Sequence, residues 1–172
     1  MKVLSISSDR KIFEEGSAVR ARTVEYANLF EELHIIIFSK RGKLKTGNLQ
    51  LTANCWLYST NSWNRWLYIF DAVRIGKIII ENCKLSRSAG SGEVGKIENS
   101  LNDFVVSSQD PFECGLTALK IARCFKLPLH VQIHTDFLSS YFVSQSFLNR
   151  IRVFIASRVL SRANAIRVVS QR

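Results

Sequence analysis

LNDFVVSSQDPFECGLTALKIARCFKLPLHVQIHTD, residues Leu101 to Asp136, reads as strand, helix, strand. Phe104-Val105-Val106 is a short apolar run that breaks into Ser107-Ser108-Gln109-Asp110. Pro111 opens an apolar-periodic segment that Leu127-Pro128 closes, and Leu129 to Ile133 then runs into His134-Thr135-Asp136. A helix between two strands joins them in parallel through a right-handed crossover, and open parallel sheets bind ligands beyond the carboxyl ends of their strands. Both strands of this unit end in polar, hydrogen-bonding residues, so the chemistry is expected at that edge.

The pattern recurs outward in both directions. Lys2 to Ser7 is a strand ending in Ser7-Ser8-Asp9, and a polar loop with Gly16 leads into a helical pattern whose face holds Val19, Tyr26, Leu29, Phe30 and Leu33. Gly16 and Ser17 stand at that helix start, where free N–H groups and the helix dipole hold an anion; a plain N-cap by Ser17 is the alternative. Ile35 to Phe38 is a continuous apolar strand, as in a sheet covered on both faces. Arg41 to Gln50 reads as a loop, and Cys55 to Tyr58 as a strand that stops at Ser59-Thr60-Asn61-Ser62. Trp63, Trp66, Leu67, Phe70 and Val73 follow at helical spacing in a helix running towards Lys84. Tyr68, Ile69, Ala72 and Ile75 widen that stripe into an arc suited to packing on a sheet, with a bilayer interface as the rival surface. Ser146 caps a helix whose face includes Leu148, Ile151, Ile155 and Val159, and Ala165 to Val169 makes a last strand. Six strands alternating with helices predict an α/β fold: one Rossmann-like, doubly wound, mainly parallel sheet with helices on both faces, spanning residues 1–172. A final strand with no closing helix leads to the expectation that more protein follows it.

Composition narrows the classes. A formal charge of +10 is concentrated at the end of the chain, where Arg150, Arg152, Arg158, Arg162, Arg167 and Arg172 follow Asp136 with no acid or lysine among them. Such a segment suits anionic lipid, phosphate groups or a solvated face. Nucleic acid is not expected, because no helix-turn-helix, zinc-finger or RNP signature is present. Cys55, Cys83, Cys114 and Cys124 form no C-x-x-C pair and no metal-ligand rhythm with the three histidines, so reduced, packed thiols are expected and no metal. There is no signal-peptide pattern and no apolar run approaching the roughly 18 residues of a spanning helix, which leads to a cytoplasmic expectation. The GSGEVG letters at Gly90, Gly92 and Gly95 match a dinucleotide fingerprint, but no strand precedes them directly and a polar segment follows, so no nicotinamide or flavin cofactor is expected. Asp110-Pro111-Phe112-Glu113 has the form of an N-cap acid, a first-turn proline and a third-position glutamate. His130 lies at the start of its strand and reads as structural, whereas His134 lies at the ligand edge.

GSAVRARTVEYANLF after the first strand, VVSSQDPFECGLTALKIA in the middle, LPLHVQIHTDF after it and LNRIRVFIASRVLSRANAIRVVSQR at the end together resemble the N-terminal domain of bacterial family 4 glycosyltransferases, retaining enzymes of the GT-B architecture. HTDF and the terminal IRVVS are the most specific parts of the likeness. It implies the acceptor-side half of a two-domain enzyme that transfers a sugar from a nucleotide-sugar donor to a glycan or lipid-linked acceptor, in cell envelope or polysaccharide synthesis, at the inner face of the membrane. By position, Gly16 and Ser17 would lie near the donor phosphates, His134 would reach the donor sugar as the catalytic-centre histidine, and Ser170 would sit near the hinge. Gln109, Asp110 and Asp136 would be acceptor-side residues, with no metal or other cofactor required. The family carries two donor-contacting glutamates eight positions apart in its second domain, and no two glutamates of this chain have that separation. The resemblance therefore implies a partner domain, in cis or in trans, and little turnover without it. A free-standing nucleotide- or phosphate-binding module is the alternative.

Overall fold

The computed structural model describes residues 1–43, 47–90 and 103–168. Its strands are β1 (Lys2–Ser7), β2 (Glu32–Ile37), β3 (Asn48–Thr52), β4 (Cys55–Ser59), β5 (Phe104–Ser108), β6 (Leu129–Ile133) and β7 (Ala165–Val168). They form one sheet in the order β3-β4-β2-β1-β5-β6-β7, in which every neighbouring pair is parallel except β3 with β4. The six parallel strands thus follow the doubly wound order of dinucleotide-binding folds, with β3 added as an antiparallel edge. The helices are α1 (Ala18–Ala27), α2 (Tyr68–Gly90), α3 (Glu113–Phe125), α4 (Ser140–Gln145) and α5 (Phe147–Leu160).

Alternation along the strands makes two cores. Leu4, Ile6 and Ile36 join Phe104, Val106, Leu129 and Val131 beneath Ala72, Ile79 and Ile80 of α2, Ile121 of α3 and Val159 of α5. Val3, Leu33, Ile35, Ile37, Cys55 and Leu57 point the other way, onto Ala27 of α1 and Ile12 of the 3-10 turn before it. Neighbouring residues of β1 and β2 fall in different cores, so helices cover both faces, as the unbroken apolar runs predict.

Four local expectations need correction. The Arg41 to Gln50 loop gives way to β3, whose Leu49 and Leu51 pack on the second core while Asn48 and Gln50 face outward, a short half-buried alternation that starts directly after Gly47. The helix α1 ends at Ala27, so Leu33 belongs to β2; Val19 and Phe30 of the predicted face pack on the second core beside buried Thr23 and Ala27, but Tyr26 and Leu29 are exposed. Trp63 and Trp66 precede α2 rather than lying on it. Asn64 accepts hydrogen bonds from the Trp66 and Leu67 N–H groups and caps a 3-10 turn there, and α2 starts only at Tyr68. The buried arc of α2 is Tyr68, Ala72, Ile79 and Ile80, whereas Trp63, Trp66 and Phe70 are 66–80% exposed, so the aromatic stripe does not pack on the sheet. Ser146 does cap α5, accepting from the Asn149 N–H, and Val159 and Ile155 of the predicted face pack on the first core, but Leu148 and Ile151 are exposed, and Asn149 and Ala156 are buried instead. The helix α2 runs through Gly90, while Gly92, Gly95, Val169 and Ser170 lie outside the described residues.

The close packing of α2 on α3 depends on Gly76. A methyl group there would stand 2.5 Å from Ile121 Cδ1.

Candidate functional site

The chain winds outward from β1 to β2 on one side and crosses to β5 on the other, so the loops leaving β1 and β5 diverge at the carboxyl edge between them. Such a switch point is where doubly wound sheets hold ligands. Here the two strand ends are tied together. The Ser7 hydroxyl donates to Gln109 Oε1 at 2.6 Å, the Gln109 N–H donates to the Ile6 carbonyl at 3.1 Å, and the Asp9 N–H donates to the Ser7 hydroxyl at 3.0 Å. The amide oxygen of Gln109 is thereby committed, and its NH2 group has no partner among the described residues.

Asp110 turns inward from this junction. Its carboxylate accepts the Phe112 N–H at 2.8 Å and lies beside the buried Cys114 of α3, with Ser8 also next to that thiol. Burial pushes the Asp110 carboxyl above its ordinary range despite that donor, and burial first, then Asp110, pushes the enclosed Cys114 thiol well up. Asp110 is not the N-cap of α3. Phe112 takes that place in a non-helical conformation without a side-chain cap, so α3 starts at Glu113, and Asp110 closes an Asx turn one step earlier. Glu113 reaches sideways instead, with one carboxylate oxygen 3.0 and 2.9 Å from Nε and Nη2 of Arg152, which joins α3 to α5.

On the other side of the junction, Gly16 adopts φ +78°, a left-handed conformation that favours glycine, and delivers the chain into α1. The Ser17 hydroxyl accepts the Arg20 N–H at 3.2 Å and donates to the Lys11 carbonyl at 2.6 Å, so it serves as a cap in full. Helix geometry leaves the first-turn N–H groups of Ala18 and Val19 without intrahelical acceptors. Arg10 Nε donates to the Phe38 carbonyl just beyond β2 at 3.0 Å, which holds the turn before α1 over the carboxyl edge.

His134 follows the last residue of β6 and is exposed, with Nε2 3.3 Å from Gln132 Oε1. The exposed Asp136 lies two residues on, and its carbonyl accepts the Ser139 hydroxyl at 3.0 Å. An aromatic clamp that the sequence reading missed ties this turn to the Asp110 turn. Phe137, which is buried, meets Phe112 edge-on at 5.7 Å between ring centroids, and Phe112 stacks on Phe142 of α4 at 5.8 Å. The only sequence signal for it was a phenylalanine in each of two turns that follow adjacent strands. His130 lies within the sheet, its Nδ1 3.0 Å from the Ser107 hydroxyl. Ser170 lies outside the described residues.

Polar strand ends are not uniformly a rim. After β2 and β4, the Ser39 and Ser59 hydroxyls bond each other, and the Thr60 hydroxyl engages both the N–H and the carbonyl of Ser39, at 2.9 and 3.1 Å. These side chains close the sheet upon itself and are buried. Among the described residues, the α1 start, the Gln109 NH2 group and the exposed His134 stay open at this edge.

No family model matches the chain, and no curated protein matches it. Among solved structures it is similar to the UDP-GlcNAc 2-epimerase from Methanocaldococcus jannaschii, with 14% identity and a TM-score of 0.46, over 96% of this chain and 38% of that one. The chain thus spans well under half the length of that structure. The α/β, Rossmann-like assignment rests on the strand order and register given above.

Proposed function

We propose that the chain is the acceptor-side, N-terminal domain of a retaining GT-B glycosyltransferase, which moves a sugar from a nucleotide-sugar to a glycan or lipid-linked acceptor once a second domain completes the cleft. The observation that carries this reading is that the three open groups of the carboxyl edge come from the loops after β1, β5 and β6 and flank one switch point. The first turn of α1, with N–H groups and positive dipole end, suits a diphosphate, and Gly16 lets the backbone approach it closely. A helix dipole and nearby basic groups offset the charge that develops on the leaving nucleoside diphosphate. In this reading His134 hydrogen-bonds the donor sugar, and the Gln109 NH2 donates to a sugar hydroxyl. Asp110, engaged with the start of α3, shapes the acceptor side by holding its loop, and Asp136 lines the same turn as His134.

The surface of α4 and α5 supports a peripheral membrane role. Leu138, Tyr141, Phe147, Leu148 and Phe154 are 55–74% exposed beside exposed Arg150 and Arg158, a combination suited to an anionic interface. Among the described residues no helix is long and apolar enough to cross a membrane.

The test is a titration of the 15N-labelled chain with UDP- and GDP-sugars. Weak, saturable shifts concentrated at Gly16 to Val19 and at His134 are expected, because the second domain would supply most of the donor contacts. Tight binding by the chain alone would favour a free-standing nucleotide-binding module, and shifts absent from that edge would refute the placement. In a two-domain form, His134→Ala should cut turnover strongly.

A further inference from the structure

At the other end of the sheet, between α2 and the amino-terminal edge of β1 and β2, a cavity of about 500 Å³ is lined in part by Lys2, Glu32, His34, Tyr58 and Cys83. Register places Lys2 beside Glu32 and His34 beside Trp56, and α2 brings Cys83 over them. His34 Nε2 lies 3.4 Å from Glu32 Oε2, and Cys83 Sγ lies 3.7 Å from that oxygen and 3.8 Å from that nitrogen. Ligand atoms held tetrahedrally at ordinary Zn–N, Zn–O and Zn–S bond lengths stand about 3.4 to 3.6 Å apart. Three unlike ligand atoms on two elements thus already have nearly the mutual spacing that one zinc ion imposes.

The outward-facing atoms of the same residues are occupied in the way a metal site requires. His34 Nδ1 is 3.1 Å from the Tyr58 hydroxyl, which leaves Nε2 for the trio. The Lys2 ammonium bonds Glu32 Oε1, which leaves Oε2. Trp56 stacks on the imidazole at 4.8 Å, with the planes 14° apart, and fixes its orientation. Such second partners set the tautomer and aim of metal ligands.

We infer that Glu32 Oε2, His34 Nε2 and Cys83 Sγ bind one divalent ion of the zinc class. The mixed oxygen, nitrogen and sulfur set excludes magnesium and calcium as natural occupants, and three protein ligands leave a fourth position for water. On binding, the Cys83 thiol releases its proton to solvent. Carboxylate, thiolate and dication then sum to zero, so Lys2 remains as a cation on the outer oxygen of Glu32.

The experiment is a Zn2+ competition titration of the purified chain against a chromophoric chelator, with Co2+ substitution read in parallel. One equivalent of zinc is expected, and cobalt should show a thiolate-to-metal charge-transfer band with the intense visible bands of a tetrahedral site. Tyr58→Phe, which loses an outer partner, should weaken zinc about 10- to 100-fold. Cys83→Ser should weaken it further and abolish the charge-transfer band, while Cys124→Ser, at an exposed thiol, should change neither. The cobalt spectrum of the unaltered chain needs no variant to fold. No bound zinc, no thiolate band, or unchanged affinity in Cys83→Ser would overturn the inference and leave the trio as a hydrogen-bonded brace between α2 and β2. The reading of the carboxyl edge does not depend on the outcome.

Discussion

Gly76 and Ile121 offer a sharp test of how α2 seats on α3. A methyl group at Gly76 would lie 2.5 Å from Ile121 Cδ1, 3.3 Å from Ile121 Cγ1 and 3.4 Å from Leu4 Cδ2. Ile121 and Leu4 are fully buried, so the crowded Cδ1 cannot swing into solvent. Gly76→Ala gains about 1 kcal/mol of helix propensity and loses about 1 to 3 kcal/mol to overpacking, for a net destabilisation of about 1 kcal/mol. Ile121→Val removes Cδ1 and costs about 0.5 to 1.5 kcal/mol as a lone substitution. In the double variant the new methyl occupies the space that Cδ1 vacated, and its nearest neighbours are then the contacts at 3.3 and 3.4 Å. Stability should return to within about 0.5 kcal/mol of the parent, a favourable coupling of about 1.5 to 2 kcal/mol between two destabilising changes. Urea unfolding of the four chains gives the cycle directly, provided the m-values agree. A double variant that falls at the sum of the single losses would refute this account of the helix crossing.

Two further outcomes follow from the described geometry. Asp110 has a folded-state pKa raised by burial, so its contribution to stability is fully present below the unfolded value and is lost as pH rises through the folded value. Asp110→Asn keeps an oxygen for the Phe112 N–H without the charge, so it should flatten the decline in unfolding free energy between acid and neutral pH; parallel profiles for parent and variant would remove burial as the cause. Sedimentation with vesicles should show more binding to anionic than to neutral lipid, weakened by salt, with Phe154→Ser lowering partition several-fold, since partial burial of a phenylalanine contributes about 1 kcal/mol. Equal lack of binding to both vesicle types would remove the membrane contact.

The fold was legible because its strongest signals are local. The apolar runs in β1, β2, β4 and β6 and the breaks after them need only a window of a few residues to be seen, and they yield the parallel order by the crossover rule. Failures came where tertiary contact overrides a local pattern. Trp63, Trp66 and Phe70 have the spacing of a core stripe, yet the Asn64 cap starts the turn late and rotates them outward. There Arg41 covers Trp63, its guanidinium 4.6 Å from the ring, and Lys120 lies 5.5 Å from Phe70. In α1 the buried residues are a threonine and an alanine, which carry little weight in a hydrophobic pattern but allow close approach.

The candidate sites were less legible for a different physical reason: a chain read in order reveals where strands end and not which atoms face each other. Ser59-Thr60 and Ser7-Ser8 look alike in sequence, but the first pair is consumed by Ser39 while the second serves a junction with Gln109 and Cys114. Asp110 had the letters of a cap, and only the backbone at Phe112 showed that its carboxylate points into the turn. The trio at the amino-terminal edge lay deeper still, since Cys83 stands 51 residues from Glu32 and 49 from His34, far outside any ligand spacing that a short motif can carry. Its two strand members did follow one rule visible in advance. Glu32 and His34 alternate on a single face of β2, where β1 sets Lys2 before Leu4 and Ile6, so a small polar group at the start of a buried face is what the alternation foretells. Cys83 of α2 joins Lys2 and Tyr58 around that pair from the helix that covers the face, a contact set by how α2 seats and so invisible in β2 alone.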